Sequence, residues 1–188
     1  AEWTAAYSAI VTILAAVVAE EAPALGVFWP ASWALRTVEE TGEAADGIMR
    51  GGIPRSFWVG LAEVRAAKQG GFDMRGLMSF GLKGFAGREV ELAPAPVSVT
   101  TARAHAEKLI DRYLAGEAVE DETEMLLPGF EEPAVIRLAD GYMRPSQPVA
   151  LIVLPGSVVD PRTMKPRKGG PSGRGGGSIV SRLFGTRS

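Results

Sequence analysis

A chain of 188 residues with 46% hydrophobic and 22% charged side chains has the composition of one ordinary globular domain with an appendage, which excludes disorder throughout. It holds no cysteine, which excludes disulfides, thiolate nucleophiles and cysteine-held metals, and fits a reducing, cytoplasmic compartment. The net charge of −2 conceals two opposed parts: thirteen basic and twenty-one acidic side chains precede Pro155, whereas seven basic residues and Asp160 alone follow it, so the body stands near −8 and the tail near +6.

Trp3, Tyr7, Ile10, Val11, Leu14, Val17 and Val18 recur at helical spacing from the start, which predicts a helix over about 3–22. Such an abrupt beginning at Ala1 predicts further residues upstream. The run from Ala5 to Ala19 is apolar nearly all round and is short of the roughly twenty residues that span a bilayer, so it reads as a buried core helix rather than a clipped signal or membrane anchor. Pro23 ends it. Leu25 to Trp29 reads as a short buried strand, and Trp29 and Trp33 flank Pro30 in a loop where an exposed tryptophan would be a binding anchor. Burial is expected for Trp29, and Trp33 is a candidate contact residue.

Thr37 to Met49 is predicted as an amphipathic helix with Glu39, Glu40 and Glu43 near its positive end. Phe57 to Val64 is predicted as a strand, Lys68 to Gly71 as a turn, and the alternation of Phe72, Met74, Gly76, Met78, Phe80 and Leu82 with polar residues as a second strand with one buried face. Arg88 to Leu92 follows as the third strand of an antiparallel meander over about 57–92. Pro94 and Pro96 break the chain, and Ser98 or Thr100 caps a helix over about 99–115 with a buried stripe of Val99, Ala102, Ala106, Leu109, Ile110, Tyr113 and Leu114. An acidic stretch from Glu117 to Glu132 precedes two further strands, Ala134 to Leu138 and Val149 to Leu154. Strands bracketed by helices predict an α+β domain over residues 1–154, an antiparallel sheet covered by helices.

The tail, residues 155–188, divides in two. Lys168 to Ser178 is dominated by glycine and predicts a flexible tether. Ile179, Val180, Leu183 and Phe184 fall on one face of a helical turn, with Arg182 beside them, and form a candidate docking peptide. An unstructured terminus with a chance apolar cluster is the competing reading.

Chemistry is sparse. His105 is the only histidine, reads as a surface or boundary side chain, and rules out a histidine triad or multi-histidine metal site. Glu89 and Glu91 share one face of a strand and are the best carboxylate pair for acid and base work; a solvated outer face opposite Val90 and Leu92 is the competing reading. The acidic stretch lacks the loop spacing of a calcium site. The glycine-rich tail lacks Gly-Lys-Ser or Gly-Lys-Thr, and no dinucleotide fingerprint opens a βαβ unit. Arginine and glycine in the tail would suit RNA, but one aromatic, Phe184, and an acidic body argue against nucleic acid. No catalytic residue, cofactor, metal or membrane association is expected.

From Ala24 to about Leu138 the chain resembles the bacterial domain family of unknown function numbered 4261. The resemblance is carried by Ala24-Leu25-Gly26-Val27-Phe28-Trp29, Pro54 with Phe57-Trp58-Val59, Gly76-Leu77, Phe80-Gly81, Glu89-Val90-Glu91 and the helix through Tyr113-Leu114. It implies a fold and no reaction. The segment Asp73-Met74-Arg75 departs from the small hydroxylated residues expected before Gly76-Leu77, and the tail lies outside the resemblance.

These observations together point to a non-enzymatic interaction or adaptor module whose partner is another protein or a second copy of itself, contacted through Ile179, Val180, Arg182, Leu183, Phe184 and Trp33. The alternatives are a carboxylate-based enzyme or small-ligand-binding domain around Glu89 and Glu91, and an acidic surface at 117–132 that neutralises a basic partner.

Overall fold

Two glycines in left-handed geometry, Gly70 at φ 57° and Gly71 at φ 86°, make a two-residue turn that matches the twist of the strands it joins. They connect β3 (Gly60–Gln69) to β4 (Phe72–Phe80), which pairs in turn with β5 (Glu89–Ala95). The expected meander is thus present, inside a six-stranded sheet of order β3-β4-β5-β8-β7-β6 that also holds β6 (Thr123–Met125), β7 (Ala134–Asp140) and β8 (Pro148–Val153). The protein is described by a computed structural model covering residues 2–126, 130–160 and 162. Every neighbouring pair in the large sheet is antiparallel except β5 with β8. Helix α5 (Val99–Leu114) carries the chain off β5, the edge hairpin β6–β7 follows, and β8 returns beside β5 in the same direction. The fold is α+β with a mixed sheet.

Helices cover one face. In α1 (Glu2–Glu21), Ala5, Ala9, Thr12, Ala16 and Ala19 are buried, and Thr12 Oγ1 receives the indole N–H of Trp58 at 3.0 Å. The helix α2 (Val38–Met49) starts with a reciprocal cap: Thr37 accepts from the Glu40 amide at 3.0 Å and Glu40 accepts from the Thr37 amide at 2.9 Å, satisfying two amide donors that the first turn leaves free. Ser98 caps α5 through the Thr101 amide at 3.0 Å. Leu77, Val90, Leu92, Leu109, Ile110, Ile136 and Ile152 meet with Trp58 and Phe85 in the main core.

Several elements differ from their sequence-based reading. Phe57 and Trp58 belong to a single helical turn, α3 (Arg55–Trp58), because Pro54 accepts from both of their amides; the strand starts only at Gly60. The alternating apolar set is buried only in part: Met74, Gly76 and Leu82 are buried, but Phe72 is exposed, Met78 and Phe80 are half-buried, and the main core also takes Leu77 from the opposite parity. The strand β5 runs through Pro94 to Ala95, and its pairing slips there, Arg75 opposing Ala95 while Leu77 opposes Leu92. One extra residue on β5 is a bulge, which accommodates a proline with no amide to donate.

The other face of the sheet is covered too. Ala93, Val149, Leu151 and Val153 form a second apolar cluster against Val159, and Pro94 O accepts from Ser157 Oγ at 3.1 Å and from the Val158 amide at 3.0 Å. The chain therefore continues to pack on the body just past Leu154. With this face covered as well, β5 is buried at every position, including the two glutamates expected on a solvated face.

Candidate functional site

A two-stranded hairpin, β1 (Val27–Trp29) with β2 (Ala34–Arg36), stands apart from the main sheet. Its register pairs Phe28 with Leu35 and Trp29 with Ala34, so the two strand faces differ in role. Trp29 turns inward, half-buried against Phe57 at a ring distance of 5.3 Å. Phe28 and Leu35 turn outward and are exposed. Trp33, at the tip, meets Phe28 edge-on at 6.5 Å and is itself 77% exposed.

The hairpin is anchored firmly. Ser32 Oγ donates to Phe57 O at 3.0 Å, and Ser32 O lies 2.2 Å from where a Cβ on Gly60 would sit, so only glycine lets the loop approach β3 so closely. Within this anchored loop Trp33 holds φ 54°. A left-handed conformation is costly for a bulky residue, by about 1–3 kcal/mol, and is retained where the surroundings over-determine it, commonly at functional surfaces.

Behind Trp33 opens a cleft of about 410 Å³ between β2, α3, the start of β3 and α5, and Arg36, Arg55, Arg103 and Glu107 line it. Arg55 reaches Glu107 at 3.3 Å and Asp111 at 2.7 Å, and Arg103 reaches Glu107 at 3.8 Å. Arg36 contacts Glu40 at 3.7 Å and donates to Ser56 O. The guanidinium groups are held in place by carboxylates yet remain partly open to solvent. Aromatic and arginine side chains around a concavity are the composition that dominates binding energy in protein interfaces.

The carboxylate pair proposed for chemistry is built differently from either expectation. Glu89 accepts from Ser79 Oγ at 2.6 Å and from the amides of Gly81, Leu82 and Lys83 at 3.0, 3.2 and 3.1 Å. It caps the loop into α4 (Lys83–Ala86). Glu91, 0% exposed, accepts from the Met143 amide at 3.0 Å and from Arg144 Nε at 2.9 Å. Arg144 in turn lies 5.3 Å over the ring of Phe80. Both glutamates are buried fasteners rather than a solvated face, and their oxygens are spent on backbone and arginine donors.

His105 also departs from expectation. It is 2% exposed, its two ring nitrogens have no hydrogen-bond partner among the described residues, and Phe130 meets its ring at 4.9 Å. Burial, with a smaller contribution from Lys108, holds it below the ordinary imidazole pKa. Tyr113 Oη is unpartnered among the described residues as well, and burial raises its pKa. In the acidic stretch, Asp121 accepts from Arg137 Nε at 3.1 Å and from the Leu138 amide at 2.7 Å, and Glu117 pairs with Arg112 at 2.7 Å. Thr123 to Met125 there forms the edge strand β6. The stretch is partly consumed by the arginines of the body instead of standing as a solvated loop. Among the described residues no group of three or more histidine, aspartate or glutamate side chains is placed to hold a metal ion.

Of the contact residues expected from sequence, Trp33 is exposed at the cleft, while Ile179, Val180, Arg182, Leu183 and Phe184 lie outside the described residues. The arginines that accompany Trp33 were not singled out, because Arg36, Arg55 and Arg103 are far apart in sequence and share no motif. No protein-family model, no curated protein and no solved structure matches this chain.

Proposed function

We propose that this protein is a protein-interaction module whose principal contact surface is the β1–β2 hairpin with the arginine-lined cleft behind it. The observation that carries the reading is Trp33, a large aromatic kept in costly backbone geometry and left in solvent next to Phe28, Leu35 and Arg36. Burial in a partner gives such a residue a return that the isolated chain does not provide. The C-terminal peptide Ile179 to Phe184 is the second contact in this proposal, tethered by Gly169 to Ser178, and the compartment we assign is the cytoplasm.

Trp33→Asn separates binding from folding, because asparagine tolerates the left-handed region better than tryptophan. Its thermal midpoint should equal or exceed that of the parent chain while pull-down from cell extract loses a captured protein that the parent retains. Deleting residues 169–188 tests the tail independently. Identical captured sets for the parent, Trp33→Asn and the deletion would sink the proposal.

A second reading rests on the cleft itself, whose volume is within the usual range for small-ligand sites. It places a ligand against Arg36 and Arg103 and predicts that Trp33→Asn leaves protein capture unchanged.

A further inference from the structure

Helix α1 carries two seams, each with residues alternately three and four apart, which places each on one face. The inner seam, Ala5, Ala9, Thr12, Ala16 and Ala19, is buried against the body. The outer seam, Tyr7, Ile10, Leu14 and Val17, with Val18 beside it, is more than half exposed throughout, from 54% at Val17 to 70% at Tyr7. The helix was expected to be a buried core helix; instead these five bulky side chains stand in water, while Ile13 packs against the core. An average repeat of 3.5 residues is the spacing that keeps an apolar stripe facing another helix along its whole length.

The size and charge of the seam bear on its occupant. Five such side chains expose on the order of 500 Å² together, at the upper end of what a monomer leaves in solvent. Two copies facing each other would remove about 1,000 Å², the lower limit for a specific interface. The only charged residues of α1 are Glu2, Glu20 and Glu21, so nothing along the seam opposes an identical stripe. A parallel arrangement would crowd the Glu20 and Glu21 carboxylates of both copies together at two negative helix ends, whereas an antiparallel one keeps them apart.

A bilayer fits less well, although Thr4–Glu21 is long and apolar enough to cross one by length and composition. The helix has no lysine or arginine to meet anionic headgroups. Leaving the body would strip its inner seam and orphan the indole N–H of Trp58.

We propose that the outer seam of α1 is a self-association surface on which two copies of this chain pack antiparallel, crossing near Ile10 and Leu14. This surface is independent of the Trp33 hairpin, so either proposal can fail without the other.

Sedimentation velocity of the full chain over a concentration series tests it. A reversible dimer in the micromolar range is expected, with Leu14→Glu weakening it roughly tenfold or more, Trp33→Asn leaving it unchanged, and both variants melting near the parent temperature. Because the chain has no cysteine, Ile10→Cys chains mixed with Leu14→Cys chains should form the mixed disulfide faster than either forms its own. A parent chain that stays monomeric at all concentrations, or a Leu14→Glu chain that dimerises as well as the parent, overturns the proposal. So does a monomer that binds lipid vesicles through the seam, or one that dimerises only after residues 169–188 are removed, which would place the tail peptide there.

Discussion

Removing Arg144 tests whether Glu91 is a fastener. Its carboxylate is 0% exposed and has two donors, the Met143 amide at 3.0 Å and Arg144 Nε at 2.9 Å, and Arg144 also donates to Ser79 O at 3.1 Å. Arg144→Met deletes the countercharge and leaves a buried anion with one amide, a loss on the order of 3–5 kcal/mol for a fully buried pair. Arg144 is 17% exposed, so water reaches the gap and the lower end, about 3 kcal/mol, is expected. For a domain of this size that corresponds to a fall in Tm of roughly 6–12 °C. Glu91→Leu alone should cost a similar amount, since it orphans the Met143 amide and leaves the guanidinium unpaired. The double variant should cost about as much as either single one, because each change removes the other's uncompensated charge, giving a coupling of about 2–3 kcal/mol. Urea unfolding of the four chains measures it. Additive losses, or a loss below about 1 kcal/mol for Arg144→Met, would refute the fastening role.

Three other perturbations report on separate parts of the fold. The folded state holds His105 below its ordinary pKa of 6.5, so the unfolded chain binds its proton first and this residue lowers stability as pH falls through about 6.5; the difference in unfolding midpoint between His105→Leu and the parent should therefore move in the variant's favour from pH 7.5 to pH 5.5, and a pH-independent difference would count against it. Thr12→Val leaves the Trp58 indole N–H buried without its acceptor and should cost about 1–3 kcal/mol by urea unfolding. Gly141→Ala places a Cβ 2.7 Å from Glu91 Oε1 and 2.9 Å from the backbone Arg144 O, so it should destabilise by about 1–3 kcal/mol by urea unfolding.

The elements with local chemistry were legible in the sequence. Thr37 with Glu40, Ser98 before the α5 stripe and Gly70-Gly71 between two strands each satisfy or shape backbone groups within a few residues, so their signals are short-range. What failed was set by distant segments. Glu89 and Glu91 alternate with Val90 and Leu92 like a half-solvated strand, and what holds them buried is Ser79, the 81–83 amides and the 141–144 loop. His105 sits among small and polar neighbours on its helix, yet Phe130 covers it from within the acidic stretch. Strand β2 has three residues, too few for any periodicity. Trp33 was visible as a candidate because it follows Pro30 in a loop; its backbone geometry and its arginine neighbours depend on Ser32 meeting β3, which no local pattern encodes.

Helix α1 shows the limit most sharply. A helix apolar on every side has almost no preferred face by hydrophobicity, so its pattern cannot say which side meets the core. Side-chain size decides: alanines at Ala5, Ala9, Ala16 and Ala19 let α1 settle close to the body, and Tyr7, Ile10, Leu14, Val17 and Val18 are left outside while Ile13 packs against the core. Close approach recovers packing on every neighbouring atom of the helix, whereas turning Tyr7 and Leu14 inward would hold α1 away from α2 and break the bond from Trp58 to Thr12. The apolar face in solvent is therefore a consequence of how the inner seam packs. If it were only a by-product, replacing Leu14 by glutamate would change nothing but solubility; if the face has a partner, that one charge removes it.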